Sequence, residues 1–203
     1  MKNLISAFIG VAGAAFLLIA PAQSATVTWT NDVPVADTGV PHYTSKSATG
    51  AVYENVTTSQ SGLYRSPWEG TALENIGTYT SVSADTYASY VFDTAVSKIS
   101  FMWGSVDDYN RLEFYNNGAW VDFLAGSDSQ LDSAQKTTGF ILATVMAGGL
   151  FDEVRFISAS NAFEYANLSA VPLPAALPLY GAGLAVMGFV GWRKRRKAAA
   201  VAA

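Results

Sequence analysis

The chain has 203 residues, half of them hydrophobic and none of them cysteine. Cysteine nucleophiles, cysteine-ligated zinc and thiol redox chemistry are therefore excluded, and any folded domain must be held by its core rather than by disulfides. All 16 acidic residues lie between Asp32 and Glu164, against six of the 12 basic ones, so the central part carries a net charge of −10, the wrong sign for a nucleic-acid binder.

Residues 1–25, "MKNLISAFIGVAGAAFLLIAPAQSA", open with one Lys, continue as an apolar core from Leu4 to Ala20, and close on Pro and small residues. This is the order of a secretory signal peptide, with cleavage by signal peptidase expected after Ser24 or Ala25. A buried globular helix would show a polar stripe, and this segment has none.

From residue 26 to residue 170 the apolar pattern repeats every two residues. The runs are "TVTWT", "TYASYVF", "KISFMWGS", "RLEFYN", "AWVDFLAG", "GFILATVMA", "FDEVRFIS" and "AFEYANLS". They are rich in β-branched and aromatic residues and are separated by Gly, Asn, Asp and Ser clusters, which predicts an all-β sandwich or barrel. Residues 31–50 hold few large apolar side chains and read as a loop-rich region. Ser127–Thr137 reads as a loop or one short helix. There is no internal repeat.

"RLEFYNNGAWVDFL" predicts a hairpin, because Asn117-Gly118 suits a type I′ turn with positive φ at both central residues. That register pairs Tyr115 with Trp120, Phe114 with Val121, Glu113 with Asp122 and Leu112 with Phe123. Leu112, Phe114, Val121 and Phe123 then share the buried face, and Glu113, Tyr115, Trp120 and Asp122 the outer one. Two aromatic rings beside carboxylate acceptors would make a platform for a sugar ring. The alternative is that Arg111 neutralises the acids, since like charges directly across a strand pair are unfavourable.

In "WGSVDDYN", Asp107, Asp108 and Asn110 put three oxygen-bearing side chains into four positions after a Gly-Ser turn. Calcium accepts such donors, although the spacing is not that of an EF-hand, and Asp and Asn also serve as plain turn formers. His42 is the only histidine; it lies in the loop "VPHYTS", and no G-x-S-x-G accompanies it. No catalytic constellation emerges, so the chain reads as a non-enzyme.

The end of the chain, "VPLPAALPLYGAGLAVMGFVGWRKRRK", has three parts. Val171, Pro172, Leu173, Pro174 and Ala175 come first. Leu173–Trp192 is uncharged, and Arg193, Lys194, Arg195, Arg196 and Lys197 close it. If Pro178 opens the helix, about 22 Å remains before Arg193, a marginal membrane span. Gly181 and Ala185 offer a small-residue face to another membrane helix, and the basic cluster sets the orientation with residues 198–203 in the cytoplasm.

This tripartite order resembles the C-terminal sorting signal of PEP-CTERM proteins in its VPLPA variant. The resemblance implies recognition in the inner membrane of a Gram-negative-type bacterium by an exosortase, cleavage near the motif, and delivery of the body to the cell surface or extracellular matrix. The body also resembles ectodomains carried on such tails. The likeness rests on Trp103, Gly104, Ser105, Asp107, Tyr109, Asn110, Leu112, Phe114 and Tyr115, and on "NAFEYANLS" at Asn161–Ser169. It implies a jelly-roll-like β-sandwich over residues 26–170, followed by a sorting signal over 171–197. The expected role is structural or adhesive, in association with exopolysaccharide in a biofilm matrix. The alternatives are a carbohydrate-binding module using the outer hairpin face, and a glycan-processing enzyme built on carboxylates the sequence does not place.

Overall fold

A computed structural model describes residues 24–32, 43–134, 139–172, 183–189 and 193. Its strands are β1 (Thr26–Thr30), β2 (Tyr43–Thr49), β3 (Val52–Val56), β4 (Tyr79–Val82), β5 (Thr86–Gly104), β6 (Asn110–Asn116), β7 (Ala119–Ala125), β8 (Phe140–Ser158) and β9 (Phe163–Pro172), with a 3₁₀ turn at Ser129–Leu131 between β7 and β8. The all-β expectation holds. Residues 31–50 are a correction: the stretch contains β2, which pairs antiparallel with Tyr87–Phe92 of β5. Apart from Tyr43 it has no large apolar side chain, and it is held by edge pairing rather than by burial, so period-two hydrophobicity gave no sign of it.

Two pairs of predicted runs fuse. "TYASYVF" and "KISFMWG" are the halves of β5, and "FILATVMA" and "FDEVRFIS" are the halves of β8; each strand is 19 residues long. Both shift their alternation in mid-course. Inward positions in β5 are Ala88, Tyr90 and Phe92, then Ile99, Phe101 and Trp103; in β8 they are Ile141, Ala143 and Val145, then Val154, Phe156 and Ser158. The β5–β8 register is irregular around Val96, and extra residues there let both strands bend while their apolar side chains keep facing inward.

The bends divide one antiparallel sheet into two halves. The first runs β2, the start of β5, the end of β8, β6, β7; the second runs β3, β4, β9, the end of β5, the start of β8, β1. Aromatic side chains join the halves face to face in a sandwich-like arrangement. Phe156 stacks on Tyr165 at 3.9 Å between centroids and meets Phe101 edge-on at 5.2 Å and Phe163 at 5.4 Å. Tyr90 adds an edge contact to Phe156 at 5.9 Å, and its hydroxyl lies 2.9 Å from that of Tyr165.

A second, smaller cluster sits on the other face of the second half. Residues 57–78, which join β3 to β4 without a strand of their own, fold over that face and insert Trp68 against Tyr79, Met102 and Ala166. The Trp68 indole N–H donates to the Thr78 carbonyl at 3.1 Å. Gly77 is required there, since a Cβ would stand 2.7–2.8 Å from the indole ring.

Phe156 touches aromatic partners from both halves. Phe156→Ala is expected to cost about 3–5 kcal/mol, in the range of large aromatic truncations in a core, read as a lowered urea midpoint at unchanged cooperativity.

Candidate functional site

The predicted hairpin forms with its Asn117-Gly118 turn, at φ 49° and 75°. Asn116 faces Ala119 and Tyr115 faces Trp120, but beyond them the register slips: Phe114 faces Asp122, Glu113 faces Phe123 and Leu112 faces Leu124. Val121 is the extra residue of a β-bulge, which exchanges the two faces of β7 after Trp120. The two-carboxylate face is thereby corrected. Asp122 turns inward, 8% exposed, and accepts hydrogen bonds from the Gly148 and Phe123 amides, both at 2.8 Å. It thus ties β7 to the Gly148-Gly149 bend of β8, and Phe123 is turned outward in its place, 41% exposed.

Several groups of the outer face bond to one another, while the buried Arg111 Nε has no hydrogen-bond partner among the described residues. Glu113 accepts from the Tyr115 hydroxyl at 2.6 Å and pairs with Arg111 at 2.9 Å. Arg155, directly across from Glu113 on β8, lies over the Tyr115 ring at 4.1 Å and pairs with Glu153 at 2.7 Å. The Arg111 guanidinium covers Phe123 at 4.4 Å. Trp120 is left at the edge, 55% exposed. Ion pairs and cation–π contacts lock this face together.

Asp107, Asp108 and Asn110 lie in different surroundings. Asn110 is buried; its carboxamide oxygen accepts from Ser158 Oγ at 3.1 Å and its amide nitrogen reaches the Ser105 carbonyl at 3.4 Å. Asp108 is exposed and Asp107 half-buried. Among the described residues no group of three or more His, Asp or Glu side chains is placed to hold a metal. With the Asn110 carboxamide engaged by Ser158 and Ser105, millimolar calcium is expected to leave the melting temperature unchanged; a rise abolished by Asp107→Asn would place calcium there.

What the structure brings together is a different set. A cleft of about 430 Å³ opens between the covering loop at 59–69, the turn Ser105–Tyr109 and the approach to β9 at Asn161–Glu164. The two sequence stretches "WGSVDDYN" and "NAFEY" meet in it. Glu164 is 2% exposed, and its carboxylate accepts from the Arg65 amide at 2.9 Å and from Ser105 Oγ at 3.1 Å. Asn161 is a hub. Its carbonyl accepts from the Tyr109 hydroxyl at 2.8 Å, its side-chain oxygen from the Ala84 amide at 3.0 Å, and its side-chain nitrogen donates to the Gly62 carbonyl at 3.1 Å. On the loop side, Glu69 accepts from Ser59 Oγ and from Arg65 Nε.

Burial dominates the electrostatics of this cleft. Loss of water pushes the Glu164 carboxyl up to about 7 against the opposing pull of the Arg65 amide and the Ser105 hydroxyl, and the negative charge of Asp107 adds to the rise. Asp107 is raised as well, by burial first and by Asp108 in addition, while the Tyr109 and Ser105 hydroxyls hold it down. Tyr109 is raised by burial and by Asp107.

Of these residues the sequence singles out Asp107 for calcium, and Ser105, Tyr109, Asn161 and Glu164 only as parts of quoted motifs; Arg65 has no signal in it. Alternation in "AFEYANLS" does put Glu164 opposite the inward-facing Phe163 and Tyr165. Nothing local reveals that a loop a hundred residues earlier covers that outer face.

The fold and the cleft define an all-β, sandwich-like domain with a cleft at one end. No family model, no curated protein and no solved structure matches the chain. The predicted signal-peptide core, His42, Leu173, Pro174, Ala175, most of the predicted Leu173–Trp192 span and Lys194–Lys197 lie outside the described residues. Residues 183–189 are helical, Arg193 is exposed, and among the described residues no helix is long and apolar enough to cross a membrane.

Glu164 gives a pH signature. Its folded value of about 7 lies above the ordinary 4.5, so its stabilising contribution is complete below 4.5 and is lost as the pH rises through 7. Wild type is expected to lose stability over that window, and Glu164→Gln to lose distinctly less, Asp107 supplying the remaining slope. Parallel stability–pH curves for the two proteins would contradict this assignment.

Proposed function

We propose that this chain is an exported surface or matrix protein. In this reading residues 1–25 are removed by signal peptidase, and an exosortase acts near Val171–Ala175 while the apolar segment after the motif holds the chain in the inner membrane. The body is a jelly-roll-like domain with no catalytic activity, and it serves a structural or adhesive role in association with exopolysaccharide. The observation that supports the reading is that the last described strand runs into the motif. β9 reaches Pro172 and pairs with β5 through Val171 opposite Lys98 and Pro172 opposite Val96. The sheet of the body thus includes the first two residues of the motif, and in the sequence the proline-interrupted apolar segment and the basic cluster follow directly.

The absence of cysteine agrees with export, since the core alone holds the domain without disulfides. The strongly negative body also favours uncharged or cationic surroundings over nucleic acid.

Intact-mass analysis of the protein recovered from the surface of the producing cells tests the proposal. The expected mature form begins at Ala25 or Thr26 and ends near the motif, with any attached group visible as added mass. Recovery of chains that keep Arg193–Lys197 would refute processing.

A further inference from the structure

We propose that the cleft between the covering loop, the Ser105–Tyr109 turn and Asn161–Glu164 is a binding site for a short uncharged oligosaccharide. This deepens the reading of exopolysaccharide association by naming where a glycan sits, and it moves that site from the hairpin face to the opposite half of the sandwich.

Four observations lead there. The first is size: about 430 Å³ is within the range in which pockets bury most of a small ligand. The second is chemistry. The lining mixes hydroxyls, carboxamides, carboxylates and the Arg65 guanidinium with apolar surface from Leu63, Ala162 and the rings of Tyr64 and Tyr109. A saccharide presents many hydroxyl donors and a weakly apolar ring face, which match carboxylate acceptors and the rings of Tyr64 and Tyr109.

The third observation is charge. Glu69, Asp107 and Glu164 line the cleft against a single cation, Arg65, which is already paired with Glu69 at 2.7 Å. Uronates and sulfated sugars are thereby disfavoured, and an uncharged chain is not.

The fourth is rigidity. Residues 57–78 exceed the dozen or so residues at which a connection without strands becomes uncommon and is usually functional. Trp68 plugs the loop into its own apolar cluster, Tyr64 packs against Tyr53 and Tyr79 at 5.1 and 6.3 Å, and the Arg65 amide is fastened to Glu164. Such a site costs little ordering entropy when a ligand arrives.

The test uses the purified full-length chain on an array of cello-, laminari-, malto- and manno-oligosaccharides, with oligogalacturonates as the charged arm, followed by calorimetry on the best binder. Saturable binding of one uncharged series is expected. Asp107→Asn and Gln60→Ala should each weaken it at least about tenfold, while Trp120→Ala on the other half leaves it unchanged; thermal unfolding of each variant verifies the fold. Absence of saturation at millimolar sugar, binding unaffected by both cleft variants, loss with Trp120→Ala, or preference for oligogalacturonates would each overturn the assignment. Export and processing are read separately by mass, so failure here leaves the surface-protein reading standing. Hydrolysis of a bound oligosaccharide would refute the non-catalytic part of that reading instead.

Discussion

The structure depends on one aromatic meeting point. Without disulfides, two halves of a bent sheet stay together only if enough apolar surface is buried between them, and Phe156 is where that burial is concentrated. Stacked and edge-on rings from β5, β8 and β9 interlock there, each with preferred geometry as well as area. Because β5 and β8 belong to both halves, the same strands that carry these rings also supply the hinge lines. A change in the centre therefore reaches both sheets.

That arrangement determines where function can reside. The inner faces are used by the core, and the outer face of the β2–β7 half is closed by its own ladder of Arg111, Glu113, Tyr115, Glu153 and Arg155. The outer face of the other half has no such ladder. It is covered instead by the loop 57–78, and covering loops leave seams. The cleft is the seam at one end of that cover, where buried carboxyls sit beside hydroxyls and amides. Burying Glu164 there works against folding as the pH rises, and the opposing hydrogen bonds from Arg65 and Ser105 offset only part of that cost.

The two proposals draw on separate parts of the molecule. Export and sorting rest on the ends of the chain, the glycan site on a seam of the body. They meet at β9, whose beginning supplies Glu164 to the cleft and whose last residues, Val171 and Pro172, open the motif. One strand thus links the site to the boundary at which the body would be released.

The sequence by itself determined the class of fold, most strands and the Asn117-Gly118 turn, because these obey local rules: side chains alternate every two residues, and only certain residues adopt positive φ. It also showed the like-charge conflict between Glu113 and Asp122 that an ideal hairpin would create, without showing its resolution. The tertiary structure decided the bulge at Val121, since the Gly148-Gly149 bend of a distant strand supplies the amide that draws Asp122 inward. It likewise decided that "TYASYVF" joins "KISFMWG" in one bent strand, that the poorly apolar β2 is a strand at all, and that Ser105, Asp107, Asn161 and Glu164 share a cleft. Each of these depends on contacts between residues far apart in the chain, and a local pattern carries no information about which face a remote loop will cover.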